Sequence, residues 1–235
     1  MKVVVIPARG GSKRIPRKNI RPFRGRPMIV WSIRAAHAAG CFDRILVSTD
    51  DEEIAAVATR HGAEVPFVRP TDLSDDQATT QAVVQHAIQW CENEGLNVEA
   101  VCCLYATAPF VQPDDLVEAA GLLEQAPPHS FVFTATSFPF PIQRAIRINS
   151  NGYSVMFQSE HFNTRSQDLE EAYHDAGQFY WARPAAWAAS SNLFEDGRPL
   201  LLPRWRVQDI DTVEDWHRAE LLHRLLEHEN KAQPA

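Results

Sequence analysis

The chain opens on Val3-Val4-Val5-Ile6, an unbroken apolar run closed by Pro7, which predicts a strand buried on both faces. A polar loop follows. Pro27 then suits a first helical turn, and Met28, Ile29, Trp31, Ile33 and Ala36 recur at helical spacing until Gly40. Arg44 to Ser48 reads as the next strand, and a helix is predicted from about Asp51 to Gly62. Glu64 to Val68 reads as a short strand, and a helix should run from Gln77 to Glu94. Ala100 to Tyr105 is apolar again, Pro113 opens a helix to about Gln125, and Phe131 to Ala135 completes the series. Strand and helix alternate throughout, which predicts an α/β fold with a doubly wound, mostly parallel Rossmann-like sheet. Ligands of such sheets bind beyond the carboxyl ends of the strands.

The pattern changes near residue 137. Gln143 to Ile148 and Tyr153 to Phe157 alternate around Asn149-Ser150-Asn151-Gly152, which reads as a hairpin. We read 1–235 as a single domain and 137–172 as an insertion projecting from its sheet. Phe138, Phe140 and Phe157 lie in that insertion. A thin hairpin cannot bury them alone, so a partner surface is expected, and a homodimer is the simplest one. The chain returns with Gln178 to Trp181 as a strand. A last helix starts after Asp211, with Thr212 and Asp215 spaced as a capping box, and a frayed tail is expected from about Glu229.

Composition narrows the function. With 235 residues and a formal net charge of -7, the molecule as a whole should repel nucleic acid and anionic membranes. No apolar run approaches a membrane span, and the start does not read as a signal peptide. The four cysteines, Cys41, Cys91, Cys102 and Cys103, lack C-x-x-C spacing, so a reduced, cytoplasmic protein is expected.

Against that acidic background, PARGGSKRIPRKN is basic. Arg9, Lys13, Arg14, Arg17, Lys18 and Arg21 crowd the segment after the first strand, with Gly10, Gly11 and Ser12 among them. The segment is neither G-x-x-x-x-G-K-[ST] nor G-x-G-x-x-G. It offers unobstructed amides flanked by cations, which suits a polyphosphate; a solvated loop is the plain alternative. Near the other end, Asp209-Ile210-Asp211 alternates. If extended, it points both carboxylates one way and Ile210 into the core. Two facing carboxylates beside phosphates can hold Mg²⁺, although D-x-D alone is weak. Asp50 to Glu53 and Asp75-Asp76 read first as helix-start residues. His174-Asp175 could form an acid–base pair. Phe179, Tyr180 and Trp181 read as core before ligand contacts.

IPARGGSKRIPRKN resembles the signature of the cytidylyltransferases that activate nonulosonic acids, the CMP-sialic acid synthetases and their relatives. VSTDDEEIA, RPTDLSDDQATT, YATAPF, HDAGQFYW and DIDTVEDW extend the likeness over nearly the whole chain. The combination looks most like the bacterial branch that acts on pseudaminic acid. The resemblance implies a nucleotide-diphospho-sugar transferase fold and a reaction of CTP with a sugar acid that yields a CMP-sugar and pyrophosphate. It places Ala8, Arg9, Gly10, Gly11, Ser12, Lys13, Lys18 and Asn19 on the CTP phosphates and ribose, and Arg69 and Thr80 nearer the cytosine. Arg9, Lys18 and Asp211 become the catalytic residues, with Asp209 and Asp211 holding the metal. Tyr105 and Arg165 fall to the sugar, with Arg165 reaching it from a neighbouring subunit; from the residues themselves, Asp175 and Gln178 read as hydrogen-bonding groups for the same sugar. Tyr105 stands where many sialic acid synthetases carry Gln, which should alter the sugar contacts. N-acetylneuraminic, legionaminic and Kdo acids remain alternative substrates, and a non-catalytic CTP-binding module is the rival of another class.

Overall fold

The computed structural model describes residues 1–189, 192–195 and 197–232, with side chains up to Leu226. The elements are β1 (Lys2–Pro7), β2 (Pro22–Phe23), β3 (Arg26–Pro27), α1 (Met28–Ala39), β4 (Arg44–Ser48) and α2 (Glu52–Arg60). There follow α3 (Thr80–Asn93), β5 (Ala100–Leu104), α4 (Pro113–Glu124), β6 (Val132–Ser137), β7 (Ile146–Ile148) and β8 (Ser154–Met156). The chain ends with β9 (Tyr173–Ala182), α5 (Pro184–Ala188), β10 (Arg198–Leu201) and α6 (Val213–Ala232).

The main sheet has the order β10-β6-β9-β5-β1-β4. β1 lies parallel between β4 and β5, while β9 runs antiparallel between β5 and β6. Its strands are apolar on both faces because helices cover both. Val4, Ile6, Cys102, Leu104, Phe179 and Trp181 pack against α1, α2 and α4. Val3, Val5, Val101, Cys103 and Tyr180 pack against α3 and α5. From β1 the chain steps outward to β4, then returns to pair β5 on the opposite side of β1. That reversal opens a crevice beyond the carboxyl ends of β1 and β5.

Several expected elements differ. Glu64 to Val68 is no strand; only isolated bridges join Leu46 to Glu64 and Thr49 to Val68. Pro66 between them removes a ladder donor. α3 begins at Thr80 rather than Gln77, because the Asp75 carboxylate accepts the Gln77 and Ala78 amides in a turn and Thr79 caps the helix. β9 starts well before Gln178, and β10, short and proline-bearing, was not foreseen. The hairpin forms as β7 and β8. α6 carries the expected reciprocal cap between Thr212 and Asp215 and runs to Ala232, through the start of the expected frayed tail; residues 233–235 lie outside the described residues. No helix among the described residues is long and apolar enough to cross a membrane.

Candidate active site

The basic loop is pinned at its start. Ala8 is buried and donates its amide to the Ser48 carbonyl at 2.9 Å. The Gly10 amide donates to Asp50 Oδ1 at 2.9 Å, and a Cβ on Gly10 would sit 2.7 Å from Asp51 Oδ2. Glycine is therefore required there by close approach to Asp51. The Ser12 amide turns back to the Gly10 carbonyl at 3.0 Å. The expected row of open amides is thus corrected: those of Ala8, Gly10 and Ser12 are engaged within the protein, because they hold the turn, and Gly11 is the glycine on the open side.

The loop cations divide. Arg9, Lys13, Arg14 and Lys18 line an open cleft of about 610 Å³, together with Ser12, Asn19, Arg69, Thr80, Tyr105 and Asp211. Arg17, in the left-handed region at φ 56°, turns away and pairs with Asp51 and with Glu53. Arg21 lies over the Trp216 ring at 4.9 Å. Asn19 is buried and ties the loop's ends by donating to the Arg9 carbonyl at 2.9 Å.

The two chain ends meet through an apolar seat. Ile15 and Ile210, both fully buried, share a cluster with Phe23, Met28, Phe110 and Trp216. Anchoring both residues in one cluster brings their polar neighbours face to face. Lys18 Nζ donates to the Ile210 carbonyl at 2.7 Å and lies 3.4 Å from Asp211 Oδ1, while Arg14 Nη1 lies 3.0 Å from Asp211 Oδ2. Asp211 lines the cleft, whereas Asp209 is exposed and is not among its lining residues. Crowding by the surrounding chain, and then the like charge of Asp211, push the Asp209 carboxyl up although its surface is open to solvent.

On the far wall Arg69 is buried, with Nε 3.0 Å from Ser48 Oγ and Nη2 donating to the Ser48 carbonyl. Burial pushes its guanidinium down to about 10, which leaves it a cation at neutral pH. Thr80 Oγ1 meets the Tyr105 hydroxyl at 3.1 Å. Burial pushes that phenol up to about 12, so it stays protonated.

Thr80 and Tyr105 also line a neighbouring pocket of about 350 Å³ with Asp175, Tyr180, Phe131, Trp187 and Phe194. Asp175 Oδ2 accepts from the Tyr180 hydroxyl at 2.5 Å. A bulge aims Asp175: Phe133 faces Tyr180 while Ala135 faces Asp175, and Gly177 takes φ 61° between them. His174 contacts the Asp175 carbonyl rather than its carboxylate, so the acid–base pair that their adjacency allows does not form.

One expected sugar residue lies elsewhere. Gln178 is buried behind the sheet and donates Nε2 to the Arg206 carbonyl at 2.7 Å. With Arg206 also paired to Asp115, it holds the segment leading to Asp209. Arg165 is exposed on the 137–172 segment and lines neither pocket. Conversely, the sequence ranks Tyr180 as core before ligand contact, Arg14 as one loop cation among several, and Asp75 and Asp76 first as helix-start residues. All four face these cavities.

The cytidylyltransferase family profile matches residues 3–195. The chain is 47% identical over 222 residues to a pseudaminic acid cytidylyltransferase of Campylobacter jejuni, covering 94% of this chain and 95% of that one. It is 32% identical over 231 residues to a CMP-N,N'-diacetyllegionaminic acid synthase of Legionella pneumophila, covering 95% and 96%. A solved CMP:2-keto-3-deoxy-manno-octonic acid synthetase complexed with CTP covers 95% of this chain and 98% of its own at a TM-score of 0.68. At 17% identity that likeness establishes the fold alone.

Proposed function

Because the chain belongs to the cytidylyltransferase family, we propose that its cleft joins CTP to a nonulosonic acid, foremost pseudaminic acid, and releases pyrophosphate. The observation that carries this reading is the meeting of Lys18 and Asp211 in one cleft with Arg9, Lys13 and Arg69.

In the reaction, the anomeric oxygen of the sugar acid bonds to the α-phosphorus of CTP. The bond from that phosphorus to its bridging oxygen breaks, pyrophosphate leaves with the electron pair, and the hydroxyl proton is lost. Such a transfer depends on positioning and on neutralised charge. Arg9, Ser12, Lys13, Lys18 and Asn19 hold the phosphates and ribose, with Gly11 exposing backbone and Ala8 and Gly10 fixing the turn. Arg9 and Lys18 stabilise the charge on the departing pyrophosphate. Arg69 and Thr80 face the base.

Asp209 and Asp211 suit a divalent cation, Mg²⁺ in our reading. They are oxygen donors; burial, and then the like charge of Asp211, raises the Asp209 carboxyl, and a dication would offset that repulsion. When bound, the ion supplies charge neutralisation to the phosphates. The second pocket, largely apolar with Thr80, Gln81, Tyr105, Asp175 and Tyr180 among its polar points, suits an N-acylated sugar acid.

We assign 137–172 to dimerisation within a single domain of residues 1–235. Phe140 is 79% exposed, Tyr153 72%, Phe157 65% and Phe162 70%, an apolar surface that a second copy would cover. Arg165 sits on the same segment and in this reading reaches a partner's sugar pocket. The four unpaired cysteines accord with a reducing cytoplasm.

The test is incubation with CTP, Mg²⁺ and a panel of nonulosonic acids, with the CMP adduct identified by mass. CMP-pseudaminic acid is the expected product. A faster reaction with N-acetylneuraminic, legionaminic or Kdo acid would move the substrate, and CTP binding without pyrophosphate release would favour the non-catalytic module.

A further inference from the structure

Asp76 sits among the cations that would hold the triphosphate. Its Oδ1 lies 2.8 Å from Arg9 Nη1 and its Oδ2 pairs with the Lys13 ammonium. Arg9 Nη1 also donates to the Asp75 carbonyl at 2.7 Å. Local backbone demands do not explain the arrangement. The turn is held by the Asp75 carboxylate, and the helix is capped by Thr79 Oγ1, which accepts the Ala82 amide at 3.2 Å. Asp76 itself makes ion pairs alone. Hydrogen bonds from Lys13 and then Arg9 hold its carboxyl below the usual range, so it is charged at neutral pH.

We infer that Asp76 is an internal counter-anion that competes with the terminal phosphates for Arg9 and Lys13, and so sets which ligands the cleft retains. The inference rests on the CTP reading of the cleft. One carboxylate offers two oxygens to these cations; a polyphosphate offers more oxygens and more charge, and displaces it. An uncharged ligand such as cytidine cannot compete for those cations. Pyrophosphate, once severed from the nucleotide, loses the contacts of base and ribose. Asp76 can then retake the cations and hasten its departure. The residue therefore weakens binding of substrate and product alike while favouring turnover.

Calorimetric titration of pyrophosphate, CTP and cytidine into wild type, Asp76→Asn and Asp76→Glu tests this. Asp76→Asn removes the competing charge with little change of shape, and the site is solvent-accessible, so the variant should fold. Its pyrophosphate and CTP affinities should rise about two- to fivefold, the range that exposed ion pairs provide. Cytidine affinity should not change, and Asp76→Glu should restore wild-type values. Unchanged or weaker pyrophosphate binding by Asp76→Asn would overturn the inference, as would an Asp76→Glu protein that behaves like Asp76→Asn. A wild type that binds pyrophosphate but neither CTP nor cytidine would instead overturn the nucleotide reading beneath it.

Discussion

Asp211 is where charge from both chain ends is reconciled: Lys18 and Arg14 reach it from the basic loop. Asp211→Ala should keep its fold, since Ile210 and the Thr212–Asp215 cap remain to seat the segment. Turnover should drop by about a hundredfold or more, as loss of a transition-state charge contact does. Thermal melting beside steady-state rates checks both halves of this expectation; wild-type rates at limiting Mg²⁺ would refute the assignment. Lys18 and Asp211 were legible in the sequence because their signals are local, a cation-rich turn and a strict alternation. Asp76 was not. Its partners lie some sixty residues away at Arg9 and Lys13, and no spacing rule relates them. Gln178 misled for the opposite reason: it neighbours Asp175 in sequence, but the bulge at Gly177 separates their directions.

At the level of elements, α2 shows how one acidic residue can stiffen the site from behind. Asp51 accepts the Glu53 and Ile54 amides as the helix cap and also pairs with Arg17. Asp51→Ala should destabilise the protein by about 1–2 kcal/mol. That corresponds to a Tm lower by about 2–8 °C for a chain of this size. The hydrogen bond from Arg17 comes first among the causes that lower the Asp51 carboxyl from its ordinary 3.8. A lowered acid contributes stability above its ordinary value and loses it as pH falls through the lowered one. The Tm gap between wild type and variant should therefore be fully open at neutral pH and close in acid, below about pH 4. Equal gaps at both pH values would refute the ion-pair contribution. Apolar runs and turn residues made most elements readable. The failures have physical causes: a proline inside Glu64–Val68, an Asp-held turn ahead of α3, and in β10 a strand too short to show a period.

For the molecule as a whole, alternation of strand and helix announced the sheet and its ligand edge, yet it could not announce that β9 enters antiparallel between β5 and β6. Strand order is decided by long-range packing, and the run Phe179-Tyr180-Trp181 would suit either direction. The proposed dimer makes a sharper claim. If Arg165 completes a neighbour's site, Arg165→Ala and Asp211→Ala will each be poorly active alone. Mixed after subunit exchange, they should recover activity at about one site in four, since half the dimers are hybrid and each hybrid holds one intact site. No recovery, with hybrids verified by mass, would place Arg165 within its own subunit's site or outside catalysis. The seat shared by Ile15 and Ile210 has a temporal consequence as well. A ribosome makes the phosphate loop first and its apolar floor last. For most of its synthesis, then, the nascent chain displays a cationic loop whose seat still lacks Ile210 and Trp216, and competence to bind is complete only as α6 emerges.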